Sequence, residues 1–137
     1  MCGHEAPPVA FRTTFTATLS VRGGACAIAF YKAAFGAVEK YRIEGDSGSV
    51  VARLSVDGAE FWIADEAPER LNFSPESLGG CSARMLLIVE DPGAVCAKAI
   101  AAGASEVSPI GEDHGWRLGR IVDPFGHHWE VGRQVTR

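Results

Sequence analysis

The chain has 137 residues, 47% of them hydrophobic and 22% charged, with a formal net charge of −4 at pH 7. That length supports one domain with a real core and is too short for two independent ones. The acidic balance argues against nucleic acid, which demands a basic surface, and no apolar run approaches the ~20 residues of a membrane helix.

Residues 1–12 read as a loose N-terminal tail. Its start, Met1-Cys2-Gly3-His4, has neither the basic opening nor the apolar run of a secretion signal. Cys2 and His4 lack further ligands nearby and make a poor metal grip. The four cysteines, Cys2, Cys26, Cys81 and Cys96, form no Cys-x-x-Cys, so the expectation is reduced, mostly buried thiols in a cytoplasmic protein.

From Thr14 to Val21 the residues alternate. Phe15, Ala17, Leu19 and Val21 fall on one face and Thr14, Thr16, Thr18 and Ser20 on the other, a strand with its apolar face toward a helix. Helical spacing of Ala27, Ile28, Tyr31, Ala34 and Phe35 predicts that helix over 24–35, stopped by Gly36. Val38–Ile43, Val50–Val56 and Glu60–Ala64 read as strands, with Asp57-Gly58 as a hairpin turn. Asp65–Gly80 is the one long irregular stretch, of the kind that serves as lid or interface arm.

A second unit follows. Arg84–Val89 reads as a strand, and Pro92–Ala102 as a helix with Pro in its first turn and Gly103 as its stop. Ser105–Ile110, Arg117–Val122 and His127–Val131 supply three more strands. The units superimpose at an offset of 68, which sets Leu19-Ser20-Val21 on Leu87-Ile88-Val89 and Gly58 on Gly126, with one residue of slip at Gly36 and Gly103. A duplication is the economical account. The domain is then residues 13–133: module one over 13–65, a loop over 66–80, module two over 81–133.

The most specific stretch is 113–131. Asp123-Pro124-Phe125-Gly126 has type I turn chemistry, with Pro presetting φ and the Asp side chain bonding backbone N–H groups. Gly-Trp-Arg-x-Gly precedes it and His-x-Trp-Glu follows. Together with Ala29-Phe30-Tyr31-Lys32-Ala33-Ala34-Phe35-Gly36-Ala37 and Ala101-Ala102-Gly103-Ala104, it resembles the vicinal oxygen chelate superfamily, the glyoxalase, bleomycin-resistance and extradiol dioxygenase group. Within that group it looks most like a branch typified by a small protein of phosphonate operons. The resemblance covers about 13–133. It implies an α+β fold of two βαβββ modules forming a cupped, partly open mixed sheet, in a homodimer.

The resemblance also implies four metal-ligand positions, five residues before the valine of each first strand and four after each turn glycine. Here these are Thr16, Trp62, Arg84 and Glu130. Only Glu130 is a ligand type. Tryptophan cannot ligate, and arginine would place a permanent positive charge beside the cation. No cofactor is therefore expected, and glyoxalase and dioxygenase chemistry, which need the ion, fall with it. A displaced site on His128 and Glu130 has no visible third ligand. The expectation for His127 and His128 is a turn-exit pair, one bonded to backbone and one packed.

The implied cup is lined by Thr14, Thr16, Thr18, Trp62, Arg84, Leu86, His128 and Glu130, with Trp116 and the 66–80 loop at its mouth. Of Trp62 and Trp129, alternation makes at least one a core residue, and Phe125 should pack at the turn. Arg117 is expected to anchor its loop to a carboxylate. Aromatic walls with convergent polar groups describe a small-molecule site. The expected function is binding of a small, partly aromatic molecule without the usual metal. The alternative is a divergent metal-dependent lyase, isomerase or transferase using Glu130 and His128. In the first case Arg84 takes the metal's place and pairs with Glu130.

Overall fold

The computed structural model describes residues 10–135, so Cys2, His4 and most of the tail lie outside the described residues. In chain order the elements are β1 (Thr18–Val21), α1 (Gly24–Phe35), β2 (Val38–Glu44), β3 (Val50–Val56), β4 (Ala59–Asp65), α2 (Pro75–Leu78), β5 (Arg84–Ile88), α3 (Pro92–Ala102), β6 (Ser105–Asp113), β7 (Trp116–Val122) and β8 (His128–Gln134). The strands form two separate four-stranded sheets, β1-β4-β3-β2 and β5-β8-β7-β6. In each, the first strand runs parallel to its neighbour and the other pairings are antiparallel. These are the two βαβββ modules, and the cupped sheet is built as two open halves.

The duplication persists in the register. Thr18 lies beside Trp62 as Leu86 lies beside Glu130, and Arg53 opposes Trp62 as Arg120 opposes Glu130. The residue of slip sits at the hairpin ends. Asp57 and Gly58 both take positive φ in the first turn. The second turn is one residue longer: Gly126 N–H donates to Asp123 O, and Asp123 Oδ1 accepts from the N–H groups of Phe125 and His127.

Both helices fall where the apolar spacing put them. Gly36 leaves α1 at φ 69°, and its N–H closes on the Lys32 carbonyl. Asp91 caps α3 by accepting from Ala94 N–H at 3.1 Å. The helix-facing sides of both sheets share one core. Tyr31 of α1 sits 5.3 Å from the Phe61 ring of β4 and 5.7 Å from Trp129 of β8. Trp129 is 2% exposed and Phe125 is also buried, so both are packing residues as expected.

Four expectations need correction. The first strand does not begin at Thr14. It begins at Thr18, and Phe15, assigned to the apolar face, is wholly exposed. Upstream of Ala17, whose carbonyl accepts from Trp62 N–H at 2.8 Å, the described residues make no ladder pairing with β4. Cys26 is exposed and Cys81 half-buried, so only Cys96 among the described cysteines is a buried thiol. Arg117 reaches no loop carboxylate; its nearest is Glu112, 4.0 Å away and directly opposite on β6. Finally, the 66–80 stretch is not irregular throughout. It holds a 3₁₀ turn at Pro68–Arg70 and the short α2. One carboxylate organises it: Glu66 accepts from Ser74 N–H at 2.9 Å and Ser77 Oγ at 2.8 Å, and pairs with Arg22 at 3.1 Å.

Candidate functional site

Alternation along the strands sends one set of side chains into the core and leaves the other on the open faces of the two sheets. On the first sheet one cross-strand row runs Thr18, Trp62, Arg53, Tyr41. The Tyr41 ring stands edge-on to Trp62 at 6.0 Å, and the Arg53 guanidinium lies 5.7 Å from the Trp62 ring centre. A cation over an indole face is an attractive contact. Glu60 lies 3.9 Å from Arg53 Nε, an atom that is buried and has no hydrogen-bond partner.

On the second sheet the equivalent row is Leu86, Glu130, Arg120. Arg84 lies two residues before Leu86, on the same face, and its Nε donates to Glu130 Oε1 at 3.1 Å. The guanidinium therefore pairs with the one carboxylate among the four mapped positions, as the charge argument required. Arg120 Nε donates to His128 Nδ1, also at 3.1 Å. Partial burial, with the Arg120 charge second, holds the His128 pKa below the usual imidazole value, so the ring is neutral at pH 7 and free to accept that bond.

Residues of β1 and β5 come together at one cavity. Thr18, Arg84 and His128 line this cavity of about 180 Å³, closed on its other side by Phe73, Pro75 and Leu78. The long loop thus does form a wall of the cavity. Thr16, by contrast, is exposed and precedes β1, so it joins neither row. Trp116 shares the Arg120 side of β7 but stands four residues away, roughly 13 Å along the strand. It lines a different recess with Asp113, His114 and Leu118. Leu86 lies on the face and is exposed. Sequence reasoning missed Tyr41, Arg53 and Arg120 as site residues. A signal was present, because Arg53 and Arg120 occupy equivalent positions in the repeat.

These residues do not fit a divalent ion at the position the superfamily uses. Trp62 has no donor atom for it, Arg84 sits on Glu130, and Arg120 engages His128 Nδ1. Among the described residues no group of three or more His, Cys, Asp or Glu is placed to hold a metal. What the two cross-strand rows and Arg84 offer instead is two aromatic rings, Trp62 and Tyr41, and three guanidinium groups.

Comparison with known proteins adds the following. Residues 16–132 match the family described as glyoxalase-like domain. A protein of Mycobacterium bovis is 39% identical over 123 residues, covering 85% of this chain and 80% of that protein. The X-ray structure of an Arabidopsis thaliana gene product superposes with a TM-score of 0.66 at 30% identity, over 90% of this chain and 98% of that one. The fosfomycin resistance protein FosX of Listeria monocytogenes superposes with a TM-score of 0.70 at 16% identity, over 91% of this chain and 95% of that one. That last likeness concerns the fold alone.

Proposed function

Because the chain belongs to the glyoxalase-like domain family, we propose that it binds a small, partly aromatic molecule on its open sheet faces without a metal ion. The observation that carries this reading is the Arg84–Glu130 contact of 3.1 Å at the superfamily's ligand position. A guanidinium there neutralises the carboxylate that would otherwise hold the cation. Trp62, with Tyr41 edge-on to it and Arg53 beside it, supplies a planar wall against which an aromatic ring can stack. Arg84 and Arg120 favour oxygen atoms on the ligand's other end.

The binding unit is a homodimer. Tyr41, Ile43, Val51, Leu86 and Ile88 are large apolar side chains left exposed, mostly on the open faces. Covering them is what a second copy would do, and symmetric dimers are the commonest closed assembly. The first-helix signature Ala29–Ala37 supports placement beside the phosphonate-operon branch.

The test is a tryptophan-fluorescence titration of the chelator-treated protein against planar antibiotics and aromatic metabolites. Binding that survives chelation and is lost in Trp62→Ala supports the reading. Stoichiometric manganese, iron, nickel or zinc in protein purified without a tag, with activity that chelation abolishes, would replace it with the metal-dependent alternative.

A further inference from the structure

The cavity behind Arg84 contains a second chemistry that the ligand-binding reading does not use. Cys81, just after the long loop, and His127, immediately before β8, both line it. His127 is 8% exposed, and its Nε2 lies 2.8 Å from the Ser20 carbonyl oxygen. A carbonyl only accepts, so Nε2 carries the hydrogen and, in the neutral ring, Nδ1 presents a lone pair. That lone pair faces the Cys81 thiol, with Sγ 3.9 Å from Nδ1. Among the described residues the thiol is the one group in hydrogen-bonding reach of Nδ1. The thiol hydrogen rests on the Ala83 carbonyl at 3.3 Å and needs only a rotation about Cβ–Sγ to turn to the imidazole. Nucleophile, base and a third group that fixes the base's tautomer are the parts of an activated-thiol site.

We propose that Cys81 is a nucleophilic thiol served by His127, and that it takes up a small apolar molecule bearing an α,β-unsaturated carbonyl in this cavity. The cavity's volume of about 180 Å³ and its walls of Leu19, Phe73, Pro75, Leu78 and Met85 select an apolar guest. Arg84 lines the same space and commits only its Nε to Glu130, leaving further N–H groups for a carbonyl oxygen. In the reaction Sγ forms a bond to the β-carbon as the alkene π bond breaks. The electron pair moves onto the carbonyl oxygen as an enolate, and the thiol proton passes to His127 Nδ1. His127 then returns that proton to the α-carbon, which leaves a saturated thioether and neutral side chains. No oxidant or reductant is required.

The test uses the intact chain, fully reduced, and N-ethylmaleimide as the probe, with peptide-resolved mass spectrometry to follow each cysteine. Cys26 is exposed and serves as the internal reference. Cys81 is expected to react at least about tenfold faster than Cys26 at pH 7, a conservative share of what a positioned base supplies. His127→Gln keeps an N–H for the Ser20 carbonyl and removes Nδ1. In it the Cys81 rate is expected to fall about tenfold while Cys26 is unchanged. A wild-type Cys81 rate at or below that of Cys26 overturns the proposal, and so does an undiminished Cys81 rate in folded His127→Gln. Should that variant not fold, a bulky maleimide too large for the cavity decides. It should lose the preference for Cys81, and a preference that persists overturns the cavity as the site.

Discussion

Tyr31 and Asp123 lie on different modules and meet in a 2.5 Å hydrogen bond, Tyr31 Oη donating to Asp123 Oδ2. Trp129 Nε1 donates to the same oxygen at 2.9 Å, and two turn N–H groups occupy Oδ1. One buried carboxylate therefore ties α1, the β7–β8 turn and β8 together. All the donors stand around a charge removed from water, so the arrangement is stable only while complete. Asp123→Ala is expected to cost about 3–5 kcal/mol, as removal of one partner from a buried charged network does. Tyr31→Phe should cost about 1.5–3 kcal/mol, the worth of one hydrogen bond to a charged group. Urea denaturation of both variants measures this, and a loss below 1 kcal/mol in Asp123→Ala would deny the carboxylate its structural role.

The same contact sets a limit at high pH. Burial, and next the Asp123 charge, raise the Tyr31 pKa well above the ordinary phenol value of 10.0. A raised acid favours its neutral form in the folded state. Its contribution is fully present below pH 10.0 and is lost as pH rises from there through the folded value. Stability curves should bend downward above that pH in the wild type, and the bend should be weaker in Tyr31→Phe.

Glu66 governs the loop in the opposite sense. Hydrogen bonds from Ser74 N–H and Ser77, with Arg22 a smaller cause, lower its pKa from 4.5 to about 2. The latch is fully present above 4.5 and loosens as pH falls toward about 2. At neutral pH, Glu66→Gln weakens the charged acceptor. Proteolytic nicking within residues 66–80 should rise in that variant while the core transition moves little.

The Arg84–Glu130 pair is half in water, with side-chain exposures of 50% and 24%. Screening by solvent limits it to about 0–1 kcal/mol, so Arg84→Ala should scarcely alter stability. The several kcal/mol that breaking a buried pair costs do not apply at this exposure. Arg84→His tests the chemistry instead. It removes the guanidinium and adds a ligand nitrogen beside Glu130. Weak zinc or manganese binding is expected in equilibrium dialysis where the wild type has none, and equal binding by the two would refute the substitution of arginine for metal.

Sequence alone determined the modules. Helix limits at 24–35 and 92–102 follow from apolar periodicity closed by Gly36 and Gly103, and these are local forces. The duplication was equally legible, because the constant offset of 68 between Leu19–Val21 and Leu87–Val89 returns at Gly58 and Gly126, and the strand registers repeat accordingly. That Arg84 and Glu130 would meet followed from charge once the family resemblance had put both at ligand positions. The length of β1, the exposure of Phe15 and the seating of Cys81 against His127 were not legible. The Cys81–His127 contact joins residues 46 apart within the second module, and His127 is held against Ser20 of the first, so segments remote in sequence decide it. Alternation fixes which face a side chain takes, whereas only the packing of the two modules determines what lies opposite.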